Sequence, residues 1–268
     1  MIVRAAALTA LAIASATATN AFAQRDRGFG YFGGSADAQG FYMPGGWGGN
    51  TKYDGRFTFA RIKYRGTGMG VGWRHDFPRA ESHFMRIMSA ITTLHPFVEA
   101  GPVIGGNIIA LDDPQLFKYP VAYLSEPGGW FPNADETLGL RNYLMKGGFL
   151  IVDDFDGPSM QRDWVHFVEE MRKVLPKARI QKIPHAHPIF NSFFTIDFDK
   201  LVAYRTGDRP EYYAVFQDND PTKRVMVIIN FNQDIGDYWE WSDQGFNIVP
   251  SNEAYKLGVN YLIYALTH

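Results

Sequence analysis

The chain of 268 residues contains no cysteine. That absence removes disulfides, thiolate nucleophiles, Cys-based metal sites and lipoprotein anchoring together. An excess of one charge is also missing: 26 Lys and Arg stand against 28 Asp and Glu, for a net charge of -2. No basic stripe is present to neutralise a run of phosphates, which speaks against a nucleic-acid partner. Beyond the first 23 residues no hydrophobic run approaches the roughly 20 residues of a membrane span, so no stable insertion is expected once that leader is removed. Catalytic signatures are scarce as well. Ser125 and Ser159 stand outside any G-x-S-x-G, and Gly66, Gly68, Gly70 and Gly72 are out of step with G-x-G-x-x-G, with no Gly-Lys-Ser/Thr after them.

What is present begins with an export signal. Arg4 supplies a positive n-region, Ala5 to Ala16 an apolar stretch of small residues, and Ala21-Phe22-Ala23 an A-x-A site. Cleavage is expected after Ala23, which places the mature protein in the periplasm or outside the cell. Residues 24–55, crowded with Gly and aromatics but without helical or strand period, predict a flexible arm. Residues 56–268, in a chain that is 46% hydrophobic, hold the material for a single α/β domain.

The domain is organised around GGFLIVDDFDG, residues 147–157. A Gly-Gly helix stop, four apolar residues (Phe149, Leu150, Ile151, Val152) and then Asp153, Asp154 and Asp156 predict a buried parallel strand with carboxylates at its C-terminal end. That edge is where open α/β sheets bind ligands. Further strands are predicted over 56–64, 108–111, 121–124 and 180–183, with a hairpin over 212–216 and 225–230 whose turn is Asp218-Asn219-Asp220-Pro221. Helices are predicted after Asp76, read as a cap with Pro78 in the first turn; after the capping box Asn133/Glu136; after Ser159; and from about Asn252. Between the hairpin and that last helix lies FNQDIGDYWEWSD, polar and aromatic.

Several residues at this edge are candidates for chemistry. Asp153, Asp154 and Asp156, held close together, either share a proton or recruit a hard divalent metal. His187 and Glu126, on adjacent loops, complete such a site in one reading; in the other, each carboxylate caps a local turn. His185 and His187, two residues apart, form a spacing that chelates zinc from an extended segment, with Asp153 or Glu126 as third ligand. Asp112 and Glu126 end two neighbouring strands, and Trp130, Trp239 and Trp241 fall in segments read as loops, where they either stack on sugar rings or fill an irregular core. Asp112, Glu126, Trp130 and Asp156 are therefore candidate ligand-binding residues.

The runs LDDPQLFKYPVAYLSEPGGW, ETLGLRNYLMKGGFLIVDDFDG, HPIFNSFF, NQDIGDYWEW and GVNYLIYALTH, in this order, resemble the bacterial family called domain of unknown function 4159. The resemblance covers about Phe57 to His268. It implies a fold similar to the class I glutamine-amidotransferase-like superfamily: a flavodoxin-like three-layer sandwich with a mostly parallel sheet, here followed by a C-terminal extension. In amidotransferases a Cys occupies the strained turn after the central strand; here that turn holds Asp153 and Asp154, so glutaminase chemistry is excluded.

The family resemblance implies no activity, and two function classes stand. The first is a non-catalytic envelope module that binds a small molecule, a glycan or an envelope protein through the carboxyl edge. The alternative is a hydrolase on a cell-envelope glycan or similar substrate, with Asp153, Asp154 and His187 as catalytic residues and a divalent metal as the candidate cofactor, held among Asp153, Asp154, His185 and His187. Geometry separates them: these side chains converging within about 3 to 5 Å around an open pocket favour catalysis or metal binding, and carboxylates each spent capping a local backbone turn favour the binding module.

Overall fold

The computed structural model describes residues 50, 52–65, 72–94, 106–155, 159–203 and 207–268. All belong to one compact unit, Trp47–His268. The expected signal peptide, nearly all of the arm, the Gly-rich turn at 66–71 and Asp156 lie outside the described residues.

Seven strands, β1 (Phe59–Lys63), β2 (Gly106–Ala110), β3 (Val121–Leu124), β4 (Phe149–Phe155), β5 (Ile180–Lys182), β6 (Glu211–Phe216) and β7 (Val225–Phe231), form one sheet in the order β2-β1-β3-β4-β7-β6-β5. The five strands from β2 to β7 run parallel, and β6 and β5 continue the sheet antiparallel, each to its neighbour. This is the mostly parallel α/β sheet that the sequence predicts, and it is consistent with the flavodoxin-like sandwich that the family resemblance implies. Chain order reverses at β1 and β3, and such a switch point opens a crevice at the carboxyl ends of the strands.

Helices cover both faces. Helices α1 (Arg79–Ile91), α4 (Ile235–Glu240) and α5 (Ile248–Thr267) pack on one, α2 (Ala134–Met145) and α3 (Met160–Val174) on the other. Strand β4 shows why both are needed. Phe149 and Ile151 enter the core under α1 and α5, while Leu150 and Val152, equally buried, alternate to the α2/α3 side. A register irregularity between Val152 and Phe155 breaks this alternation. Phe155 thereby packs on Phe167 and Trp164 of α3, with ring centroids 5.4 and 5.7 Å away.

Helix ends follow local chemistry. Asn133 and Glu136 form the predicted capping box of α2, and Gly147, at φ 110, terminates it. Two expectations are corrected. Helix α5 starts at Ile248, not near Asn252, because Asn247 accepts from Val249 N and Pro250 is tolerated in a first turn. Asp76 does not cap α1: the N-cap is Pro78, without a side-chain bond, and the Asp76 carboxylate turns inward. Of the C-terminal part, β6 and β7 extend the sheet, α4 follows β7 at the carboxyl edge, and α5 runs along one face.

Candidate metal centre at the carboxyl edge

Three non-glycine residues with positive φ fall at the carboxyl ends of parallel strands, Glu126 (52°) after β3, Asp154 (70°) in β4 and Asn232 (54°) after β7, and a fourth, Asp76 (64°), lies just before α1 in the segment that joins it to β1. Each costs about 1–3 kcal/mol, and such strain concentrates where side chains must be aimed. The central strand does not give way to the expected turn after Val152 but continues to Phe155, with Asp154 at the irregularity within it.

Asp153 and Asp154, adjacent in sequence, do different things. Asp153 is fully buried and saturated: Oδ2 accepts from Tyr123 Oη (2.5 Å), Ile235 N (2.9 Å) and Gly236 N (3.1 Å), and Oδ1 accepts from Asn230 Nδ2 (2.9 Å). Asn230 Oδ1 in turn accepts from Tyr261 Oη of α5 (2.7 Å). Burial pushes the Asp153 carboxyl up to about 7, against the opposing pull of the Tyr123 and Asn230 bonds. This carboxylate is spent on anchoring the start of α4 to the sheet.

Asp154 instead meets residues from other strand ends. Its Oδ2 lies 3.0 Å from His75 Nδ1 and accepts from Ser125 Oγ at 3.3 Å. His75 Nδ1 is also 3.1 Å from Asp76 Oδ1. Asp234, which follows β7, caps α4 by accepting from Asp237 N at 2.8 Å. His75, Asp76, Asp154 and Asp234 each offer a ligand atom, and these atoms lie within 4.8 Å of one another. A six-coordinate ion with bonds of about 2.1 Å places opposite ligands about 4.2 Å apart, so this is a span that one cation fills.

The electrostatics mark the same place. Burial, then the charges of Asp237 and Asp154, hold the Asp76 carboxyl well above the usual carboxylate range, with His75 pulling the other way. Burial, then Asp154 and Asp237, does the same to Asp234. Burial would lower the His75 imidazole, but Asp76 and Asp154 outweigh it and raise it well above its ordinary value. The Asp76 side chain is 0% exposed, and neither of its oxygens accepts a hydrogen bond. Buried carboxylates without donors are costly unless a proton or a cation joins them.

None of the remaining predicted residues is among the four of this cluster. His187 caps a short turn, its Nδ1 accepting from Ile189 N at 3.2 Å, and its ring faces Phe216 and Tyr264. Phe216 pairs with Val225, so His187 sits toward the amino end of β7, and it does not join Asp153 or Asp154. The His185 ring stacks on Phe198, with centroids 3.6 Å apart, and it joins neither carboxylate. Glu126 is at the carboxyl end of β3, where its carbonyl accepts from Tyr64 Oη (2.6 Å). Asp112 is exposed in the turn after β2. Trp130 and Trp239 are core residues at 0% and 1% exposure, and Trp241 is half-buried under Arg79.

Sequence reasoning missed His75, Asp76 and Asp234. The available signal was positional: each lies in the segment that follows an apolar strand, and Asp234 sits among Ile235, Tyr238 and Trp239, residues that demand burial.

No curated protein matches the chain. The family described as a domain of unknown function (DUF4159) matches residues 58–266, a span that contains all seven strands and all four residues of the cluster. By that match the chain belongs to the DUF4159 family.

Proposed function

We propose that this domain is a ligand-binding envelope module whose ligand is a divalent cation, held by His75, Asp76, Asp154 and Asp234 at the carboxyl edge of the sheet. The observation that carries the reading is the Asp76 carboxylate, wholly enclosed and without a hydrogen-bond donor, beside two more carboxylates and an imidazole. One imidazole with three carboxylates suits Mn2+ or Zn2+ better than Ca2+. The reading keeps Asp154 from the sequence expectation and puts His75 where His187 was expected. The alternative, an Asp/His hydrolase on an envelope glycan, draws less support. His187 is remote from the carboxylates, and two of the three tryptophans suited to sugar stacking are core residues.

Export to the periplasm or beyond is part of the proposal and rests on the leader at residues 1–23. N-terminal sequencing of the secreted protein should begin at Gln24; a retained Met1 would refute cleavage. For the cation, calorimetric titration with Mn2+ and Zn2+ is the direct test. The wild type should bind, and Asp154→Asn and His75→Ala should each weaken binding at least tenfold, about 1.4 kcal/mol. His185→Ala and His187→Ala should bind like the wild type. A wild type that binds neither ion, or one indifferent to Asp154→Asn and His75→Ala, would sink the reading.

A further inference from the structure

Asp76 belongs to two clusters at once. Besides the group with His75, Asp154 and Asp234, an Asp76 oxygen lies within 4.8 Å of ligand atoms of Asp237 and Glu240. Its two oxygens face different neighbours. Oδ1 lies 3.1 Å from His75 Nδ1, whereas Oδ2 abuts Gly236 so closely that a Cβ there would overlap it. Gly236 sits in the first turn of α4, between Asp234 of the first cluster and Asp237 of the second. The missing side chain at position 236 is what lets the carboxylate lie between the two groups.

We propose that Asp76 bridges a second divalent cation, held with Asp237 and Glu240, to the first, so that the carboxyl edge houses a two-ion centre. The inference rests on the first cation of the proposed function and deepens it. The acidic character of Asp237 and Glu240 alone would not carry it. What carries it is the fully enclosed Asp76 side chain with both oxygens lacking hydrogen-bond donors: one cation satisfies one oxygen and leaves the other orphaned. A bridging carboxylate resolves both, and places two ions at the roughly 3.5–4 Å typical of two-metal sites. The second position is lined only by carboxylates among the residues that form it, so it favours a hard ion such as Mg2+ or Mn2+. Helix α4 supplies Asp237 and Glu240 three residues apart, on one face.

Mn2+ serves both positions and reports on both. The full chain is titrated with Mn2+ by calorimetry and the loaded protein is read by electron paramagnetic resonance. Two Mn2+ per chain with the spectrum of a spin-coupled pair is the expected result. Glu240→Gln should keep one Mn2+ and give the hyperfine pattern of an isolated ion. Should Glu240→Gln fail to fold by circular dichroism, Asp237→Asn carries the same expectation. One Mn2+ in the wild type, lost in Asp154→Asn and unaffected by Glu240→Gln, overturns the second ion and leaves the first standing. Two uncoupled ions overturn the bridge. No bound Mn2+ overturns both this inference and the first site.

Discussion

A residue's chemistry here depends on which of its atoms are already engaged. Asp153 and Asp154 share a strand end, yet one accepts four hydrogen bonds within the core while the other reaches across to His75 and Ser125. His187 illustrates the same point. Its Nδ1 is an acceptor for Ile189 N, so the ring must be neutral there, and burial, then the charge of His268, lowers its imidazole from the ordinary value. A histidine lowered in the folded state contributes stability that is fully present above its unfolded value of about 6.5 and is lost as pH falls through the folded value. Melting temperatures between pH 7.5 and 5 should therefore drop more steeply for the wild type than for His187→Asn, whose amide oxygen accepts the same bond at every pH. Parallel curves for the two proteins would show that His187 is not the titrating group.

At the scale of elements, the short helix α4 decides the site. Six residues form a marginal helix by themselves, and its first turn is held by the Asp153 carboxylate and by Asp234 as cap. Asp153→Asn places an amide where donors converge, with a cost of about 2–4 kcal/mol for donors left facing it. That corresponds to a melting temperature lower by about 5–15 °C in a domain of this size. An unchanged melting temperature would mean that α4 is held by its aromatic packing alone, through Trp239 on Phe84 (4.5 Å) and Tyr123 (5.9 Å). The register irregularity in β4 is the matching device in the sheet. It sends Phe155 to the α3 side, keeps Asp153 on the α5 side, and leaves Asp154 at the irregularity between them, in contact with His75 and Ser125.

For the whole molecule, the fold was legible because it is written in local repeats. The apolar run 149–152 between Gly148 and Asp153, the hairpin around 218–221 and the capping box at Asn133 each declare an element from adjacent residues alone. The gathering of acidic residues at the carboxyl edge was legible too, since the strands alternate with helices and their ends are acidic. Which carboxylates meet was not. His75 and Asp76 follow the first strand, Asp234 follows the last, and Asp154 lies midway, so their convergence depends on the strand order β2-β1-β3-β4-β7 and on the sign of φ at Asp76 and Asp154. Neither is encoded in spacing. Asp76 has the position of a helix cap and Asp153 that of a metal ligand; in the fold, backbone amides of α4 bond Asp153, while Asp76 is buried with no hydrogen-bond donor on its carboxylate. The sequence by itself determined the class of fold, most of its elements and its acidic carboxyl edge, but not helix α4, whose segment reads as a polar and aromatic loop. Tertiary structure decided which side chains share that edge, because desolvation and hydrogen-bond saturation are properties of neighbours distant in the chain.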